Sequence, residues 1–165
     1  MKTDKIYLVG FMGAGKSSVA RRLAKRLGWR AIDIDSLIEQ REHMTVADIF
    51  AKRGEPYFRA AERAVLVEQL GTRHVIVATG GGTFVDPHNR AMINQDGVSV
   101  WLDVPLDLAI ARVPADGRRP LAADRAAFER LYHERRAVYE HAHMRLEANR
   151  ASADALVDEL LDALK

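Results

Sequence analysis

Lys5-Ile6-Tyr7-Leu8-Val9-Gly10-Phe11-Met12-Gly13-Ala14-Gly15-Lys16-Ser17-Ser18 is an apolar run that breaks into glycines and ends on a lysine and two hydroxyls. Residues 10–17 match G-x-x-x-x-G-K-[ST], between a β-type run and a helical pattern in which Val19, Ala20, Leu23, Ala24 and Leu27 recur at 3.6-residue spacing. Glycines at 10, 13 and 15 let successive backbone N–H groups turn inward around a polyphosphate. Lys16 adds a cation, and the Ser17 hydroxyl can ligate Mg²⁺. A glycine-rich turn before a helix is the simpler alternative, but a strand before and a helix after point to nucleotide phosphates, held by Gly13, Ala14, Gly15, Lys16, Ser17 and Ser18. Arg21, Arg22, Lys25 and Arg26 fall on the outer face of this first helix, and Gly28 supplies its stop.

Beyond this loop, short β-type runs alternate with helix-period segments, the pattern of an α/β fold with a parallel sheet covered on both faces. Five strands are predicted, at Lys5 to Val9, Ala31 to Asp33, His74 to Ala78, Val98 to Asp103 and Met144 to Glu147. Helices are predicted from Thr45, a cap with Asp48 three residues on, to Gly54, and then over Pro56 to Leu70. Further helices follow at Pro87 to Gln95, Leu106 to Arg112, Arg125 to His141 and Ala153 to Leu164. Between Val113 and Asp124 the pattern breaks around two adjacent arginines; residues 113–124 read as a lid because of those arginines, and without them would read as an ordinary surface loop.

The chain has 165 residues, enough for a single domain over 1–165. Its 48% hydrophobic and 29% charged content is ordinary for a globular protein. With no cysteine there is no disulfide framework and no thiolate nucleophile, which suits a cytoplasmic protein. No run approaches a membrane span, and glycines and Lys16 interrupt the first apolar stretch, unlike a signal peptide. A net charge of +2 with scattered basic residues and 7% aromatics argues against nucleic acid as a partner. The six histidines show no metal-ligand spacing, and His141 and His143 read as helix-end surface residues.

Four further segments carry chemistry: Asp33-Ile34-Asp35, Gly54-Glu55-Pro56-Tyr57-Phe58-Arg59-Ala60-Ala61-Glu62, Thr79-Gly80-Gly81-Gly82 and Arg119-Pro120-Leu121. With the phosphate loop and Glu134-Arg135-x-x-x-Tyr139, this ordered set closely resembles shikimate kinase from about Ile6 to Arg150. The resemblance implies a P-loop fold of the nucleoside-monophosphate-kinase type with a mobile lid. It also implies transfer of the ATP γ-phosphoryl to the 3-hydroxyl of shikimate, with Mg²⁺, in a monomer.

Asp33 and Asp35 are two residues apart, so in an extended segment their side chains point the same way, toward the ligand crevice at a strand's carboxyl end. By resemblance Asp33 serves Mg²⁺ through water beside Ser17, and Asp35 binds the acceptor hydroxyl and orients or deprotonates it. Arg59 and Glu62 share a helix face, which lets the acid orient the guanidinium; by resemblance Arg59 grips the shikimate carboxylate. Three glycines at a strand end expose N–H groups and admit a close ligand; in the family Gly80, Gly81 and Gly82 line the shikimate pocket. By the same resemblance Arg135 meets the carboxylate, Arg119 the transferring phosphate, and Arg112 the adenine; taken without the resemblance, Arg112 reads equally as a solvated arginine at a helix end. Their neighbours Arg118 and Arg136 match no family role. Val113 stands where the family has threonine, Ala137 where it has proline, and the segment from Arg119 to Arg135 is a few residues short. These departures bear on lid length and adenine contacts. A kinase for another polar acid such as gluconate, and a nucleotide-binding module without catalysis, are the rival readings of the same loop.

Overall fold

The computed structural model describes residues 3–112, 125–149 and 152–165. Five parallel strands form one sheet in the order β2-β3-β1-β4-β5, with β1 at Lys5–Val9, β2 at Arg30–Asp33, β3 at Val75–Ala78, β4 at Val98–Asp103 and β5 at Met144–Glu147. Every residue of β1 and β3 is buried, which is why both read as continuous apolar runs rather than alternating ones. The predicted third strand loses His74, whose φ of 57° is left-handed and incompatible with an extended ladder. The other strand predictions hold to within one residue.

The described helices are α1 (Lys16–Leu27), α2 (Ile34–Glu42), α3 (Val46–Arg53), α4 (Glu55–Gln69), α5 (Pro87–Asp96), α6 (Leu106–Arg112), α7 (Arg125–Tyr139) and α8 (Ala153–Ala163), with a 3₁₀ turn at Thr83–Val85. From β1 the chain crosses through α1 toward one edge, and from β3 it crosses through α5 toward the other. Right-handed crossovers in opposite directions put their helices on opposite faces. The carboxyl ends of adjacent β1 and β3 are therefore a switch point, and both the phosphate loop and the triple-glycine turn leave from there. None of the described helices is long and apolar enough to cross a membrane.

One helix departs from the sequence expectation. Asp33 ends β2 and at once caps α2, its carboxylate accepting the Ser36 N–H at 3.1 Å. Asp35 therefore sits in the first turn of a helix, not in an extended segment two residues along from Asp33. The signal was an acidic cap followed by Ile34 and Ile38 four residues apart, both fully buried. The proposed lid, with Val113, Arg118 and Arg119, lies outside the described residues.

Candidate active site

The phosphate loop forms as its glycines require. Gly15, with φ of 89°, is the N-cap of α1 and makes the left-handed turn from which the first helical N–H groups open. A Cβ on Gly10 would stand 2.7 Å from the Leu102 carbonyl oxygen, so the loop can leave β1 beside β4 only without a side chain there. Lys16 is held inside the loop, its ammonium donating to the carbonyls of Gly10 at 2.8 Å and Phe11 at 3.0 Å. Ala14 turns the other way, buried, with its N–H bonded to Phe11 O at 3.2 Å. Arg112, at the end of α6, reaches back to Gly13 O at 3.1 Å and so borders the loop.

This loop floors a cleft of about 510 Å³ whose walls include Ser17, Ser18, Asp33, Asp35, Gly80, Gly81 and Arg112. The Ser17 hydroxyl donates to Asp33 Oδ2 in a short contact. A hydroxyl and a carboxylate oxygen thus converge beside the phosphate loop, a donor set of hard oxygens that fits Mg²⁺ shared with phosphates and water. Among the described residues no cluster of three or more acidic or histidine side chains forms an all-protein metal cage.

A second pocket opens off the cleft and shares Met12, Asp35, Val46, Gly80 and Gly81 with it. One wall is apolar, with the rings of Phe50 and Phe58 4.9 Å apart. The charged part of the lining is organised by the triple-glycine turn. A Cβ on Gly80 would meet Asp35 Oδ1 at 2.7 Å, one on Gly81 would meet Arg135 Nη1 at 3.3 Å, and one on Gly82 would meet both terminal nitrogens of Arg59 at 2.6 Å. Each glycine thus makes room for one predicted acceptor-binding side chain, and three residues from α2, α4 and α7 are brought to a single turn.

The supporting bonds explain how the two arginines are aimed. Arg59 Nη1 donates to Glu62 Oε1 at 3.1 Å, and Glu62, 1% exposed, also accepts from the Thr83 hydroxyl at 2.8 Å. Burial pushes the Glu62 carboxyl above its ordinary value, and Arg59 and the Thr83 hydroxyl oppose that shift. Arg135 is 8% exposed, with its guanidinium 6.0 Å from the Phe11 ring. Burial draws its pKa down, with nearby Tyr139 and Glu55 acting against the shift. Among the described residues no carboxylate lies within ion-pair distance of Arg135, so it offers a buried cation to an incoming anion. Tyr139, one turn on, donates its hydroxyl to Gly81 O at 2.5 Å; burial raises its phenol pKa, which keeps it a donor.

Gly13, Gly15, Lys16, Ser17, Ser18, Asp33, Asp35, Arg59, Gly80, Gly81, Gly82, Arg112 and Arg135 all border this pair of pockets, whereas Arg119 falls outside the described residues. Met12, which borders both pockets, and Thr83 were not anticipated; a buried hydroxyl after a glycine turn carries no distinctive spacing. His143 is not at a helix end. Its Nδ1 accepts the Ser99 N–H at 3.1 Å, tying the turn before β5 to β4.

The family model described as shikimate kinase matches residues 12–165. The shikimate kinase of Persephonella marina is 38% identical over 161 residues, 97% of this chain and 98% of that protein. That of Sulfurihydrogenibium sp. is 39% identical over 97% of each. Among solved structures, shikimate kinase from Acinetobacter baumannii in complex with shikimate superposes with a TM-score of 0.93 at 37% identity, covering 98% of this chain and 92% of that one. Deoxyadenosine kinase from M. mycoides with bound dATP, at 18% identity and a TM-score of 0.66, shares the P-loop kinase fold.

Proposed function

The chain belongs to the shikimate kinase family, and on that premise we propose how its residues transfer the γ-phosphoryl of ATP to the 3-hydroxyl of shikimate, giving shikimate 3-phosphate and ADP. The observation that carries the assignment of roles is the meeting of Asp35, Arg59 and Arg135 at Gly80–Gly82, one pocket away from the phosphate loop.

The α1 N-terminus and Lys16 hold the nucleotide phosphates. Lys16 exchanges its two loop carbonyls for phosphate oxygens, where charge grows as the bond to the leaving oxygen lengthens. Ser17 and Asp33 would hold Mg²⁺, which when bound would supply charge neutralisation at the phosphates. Arg59 and Arg135 take the shikimate carboxylate with paired hydrogen bonds that a guanidinium fork makes and an ammonium does not. With the carboxylate anchored, the ring lies against Met12 and the two phenylalanines, and Asp35 accepts a hydrogen bond from the 3-hydroxyl. That bond aims the oxygen at the phosphorus, and positioning rather than full proton removal is what a loose transition state needs. Arg112 borders the adenine, and by the family resemblance Arg119, outside the described residues, is the arginine that meets the transferring phosphoryl. The chain works as a cytoplasmic monomer of one domain.

The test is ADP release by purified protein with ATP and Mg²⁺, compared across shikimate, gluconate and no acceptor. Release dependent on shikimate alone is the expected result, and equal release in all three would overturn the acceptor assignments.

A further inference from the structure

Thr83 opens the 3₁₀ turn directly after the glycines and is fully buried. Its hydroxyl oxygen accepts the Gly80 N–H at 3.0 Å, and its own hydrogen goes to Glu62 Oε2 at 2.8 Å. Glu62 in turn receives Arg59 Nη1 at 3.1 Å on one oxygen and 3.3 Å on the other. The Thr83 carbonyl is itself fixed by Asn89 Nδ2 at 3.1 Å, and Asn89, also buried, takes Arg63 Nε at 3.2 Å. One hydroxyl therefore links the glycine turn to the acid that aims an arginine, and because both neighbours are buried its orientation is set.

We propose that Thr83 is a positioning residue for shikimate binding: it holds Glu62, and through it Arg59, at the angle the substrate carboxylate requires while pinning the Gly80 turn against Asp35. The inference rests on the reading of Arg59 as a carboxylate clamp. It assigns no contact between Thr83 and substrate.

The groups facing Glu62 give the role a pH signature. Arg59 and, one turn earlier, Glu55 lie on α4; Asp35 comes from α2; Arg135 reaches toward Arg59 from α7. Burial and Asp35 raise the Glu62 pKa, and Arg59 with the Thr83 hydroxyl restrains it. Loss of the hydroxyl removes one restraint, so Glu62 takes up a proton at a higher pH than in the wild type and releases its hold on Arg59 there.

The experiment compares wild type, Thr83→Val, Thr83→Ser and Arg59→Lys in steady-state kinetics across pH. Valine keeps the branched shape and removes the hydroxyl. The expected result is a shikimate KM raised about tenfold in Thr83→Val, with the KM for ATP within about twofold of wild type, since the lost bond is a charge-assisted one remote from the nucleotide. Thr83→Ser should restore the shikimate KM, and the acid limb of kcat/KM for shikimate should move to higher pH in Thr83→Val. An unchanged shikimate KM, or equal loss for both substrates with no displacement of the acid limb, overturns the proposal. If circular dichroism shows Thr83→Val unfolded, Thr83→Ala replaces it under the same criteria. Arg59→Lys separates the two layers. A normal shikimate KM there overturns the clamp itself, whereas a raised one beside a normal Thr83→Val overturns the Thr83 role alone.

Discussion

Arg135 and Arg136 are consecutive on α7 and serve opposite ends of the site's architecture. Arg135 faces the glycine turn, with Nη1 3.3 Å from where a Cβ on Gly81 would stand. Arg136 faces the sheet, where it grips Asp103 with two nitrogens at 2.5 and 3.2 Å and lies 5.1 Å from the Trp101 ring. Arg145 meets the same carboxylate from β5 at 2.6 Å. Asp103 thus ties α7 to the β4-β5 edge, and one residue away the same helix presents a cation to the second pocket.

Substitution of the two arginines should divide along that line. Arg135→Lys keeps the charge but loses the planar fork, and the shikimate KM should rise about tenfold or more with the KM for ATP little changed. Arg136→Met should leave the shikimate KM within about twofold while lowering stability by about 1–2 kcal/mol, since Asp103 retains Arg145. Steady-state kinetics and urea unfolding on the same preparations check both. A larger kinetic effect at Arg136 would reverse the assignment.

Gly82→Ala isolates the close approach of the glycine turn to Arg59. The backbone there, with φ of −103°, tolerates alanine. The new Cβ would lie 2.6 Å from both terminal nitrogens of Arg59, the movable end of a long side chain, so the guanidinium shifts and the fold stays. Unfolding midpoints should match wild type within error, and the shikimate KM should rise several-fold, about 1 kcal/mol of lost positioning.

Much of this arrangement was legible in the chain. The phosphate loop and buried strands declare themselves through glycine spacing and continuous apolar runs, and the sheet and its helices follow from their alternation. The Arg59–Glu62 pair was legible because both residues lie on one helix, three apart. The extended segment expected at Asp33 and Asp35 is instead a helix start, because a strand-ending acid can also cap a helix and only the packing of Ile34 and Ile38 decides between them. The match of each glycine to one predicted acceptor-binding residue joins segments separated by 23 to 54 positions, and no local spacing encodes such a meeting.

Asp33 serves α2 as a cap and, by the reading above, Mg²⁺ through its charge, and Asp33→Asn separates these duties. Asparagine caps helices about as well as aspartate, so the bond from Ser36 N–H survives and stability should change by less than about 0.5 kcal/mol. The Ser17 hydroxyl keeps an acceptor, but the site loses its anionic oxygen. The Mg²⁺ concentration for half-maximal activity should rise about tenfold, with the shikimate KM at saturating Mg²⁺ unchanged. A Mg²⁺ titration showing no displacement would remove Asp33 from the metal environment.

At the opposite end of the sheet, acid stability should be governed by Asp96. Its Oδ2 meets Lys5 Nζ at 2.5 Å and the Tyr7 hydroxyl at 2.6 Å, and its Oδ1 meets Arg73 at 2.6 Å. Burial pushes this carboxyl up, but Lys5, Tyr7 and the Gly71 N–H together hold it below its ordinary 3.8. The unfolded chain therefore takes up the proton at a higher pH than the native one. Stability from this group is fully present above about pH 4 and is lost as pH falls through the depressed native value. Asp96→Asn should flatten the acid limb of the unfolding midpoint and cost about 2–4 kcal/mol at neutral pH, because Lys5 is 0% exposed and loses its counter-charge. Burial already holds Lys5 below its ordinary 10.5, and loss of Asp96 draws it lower still. A lysine with a lowered native pKa regains stability as pH rises from that value toward 10.5, so the deficit of the variant should shrink in alkaline buffer. Urea midpoints for both proteins from pH 3 to pH 10 check this. A deficit independent of pH would show that Asp96 acts through packing alone.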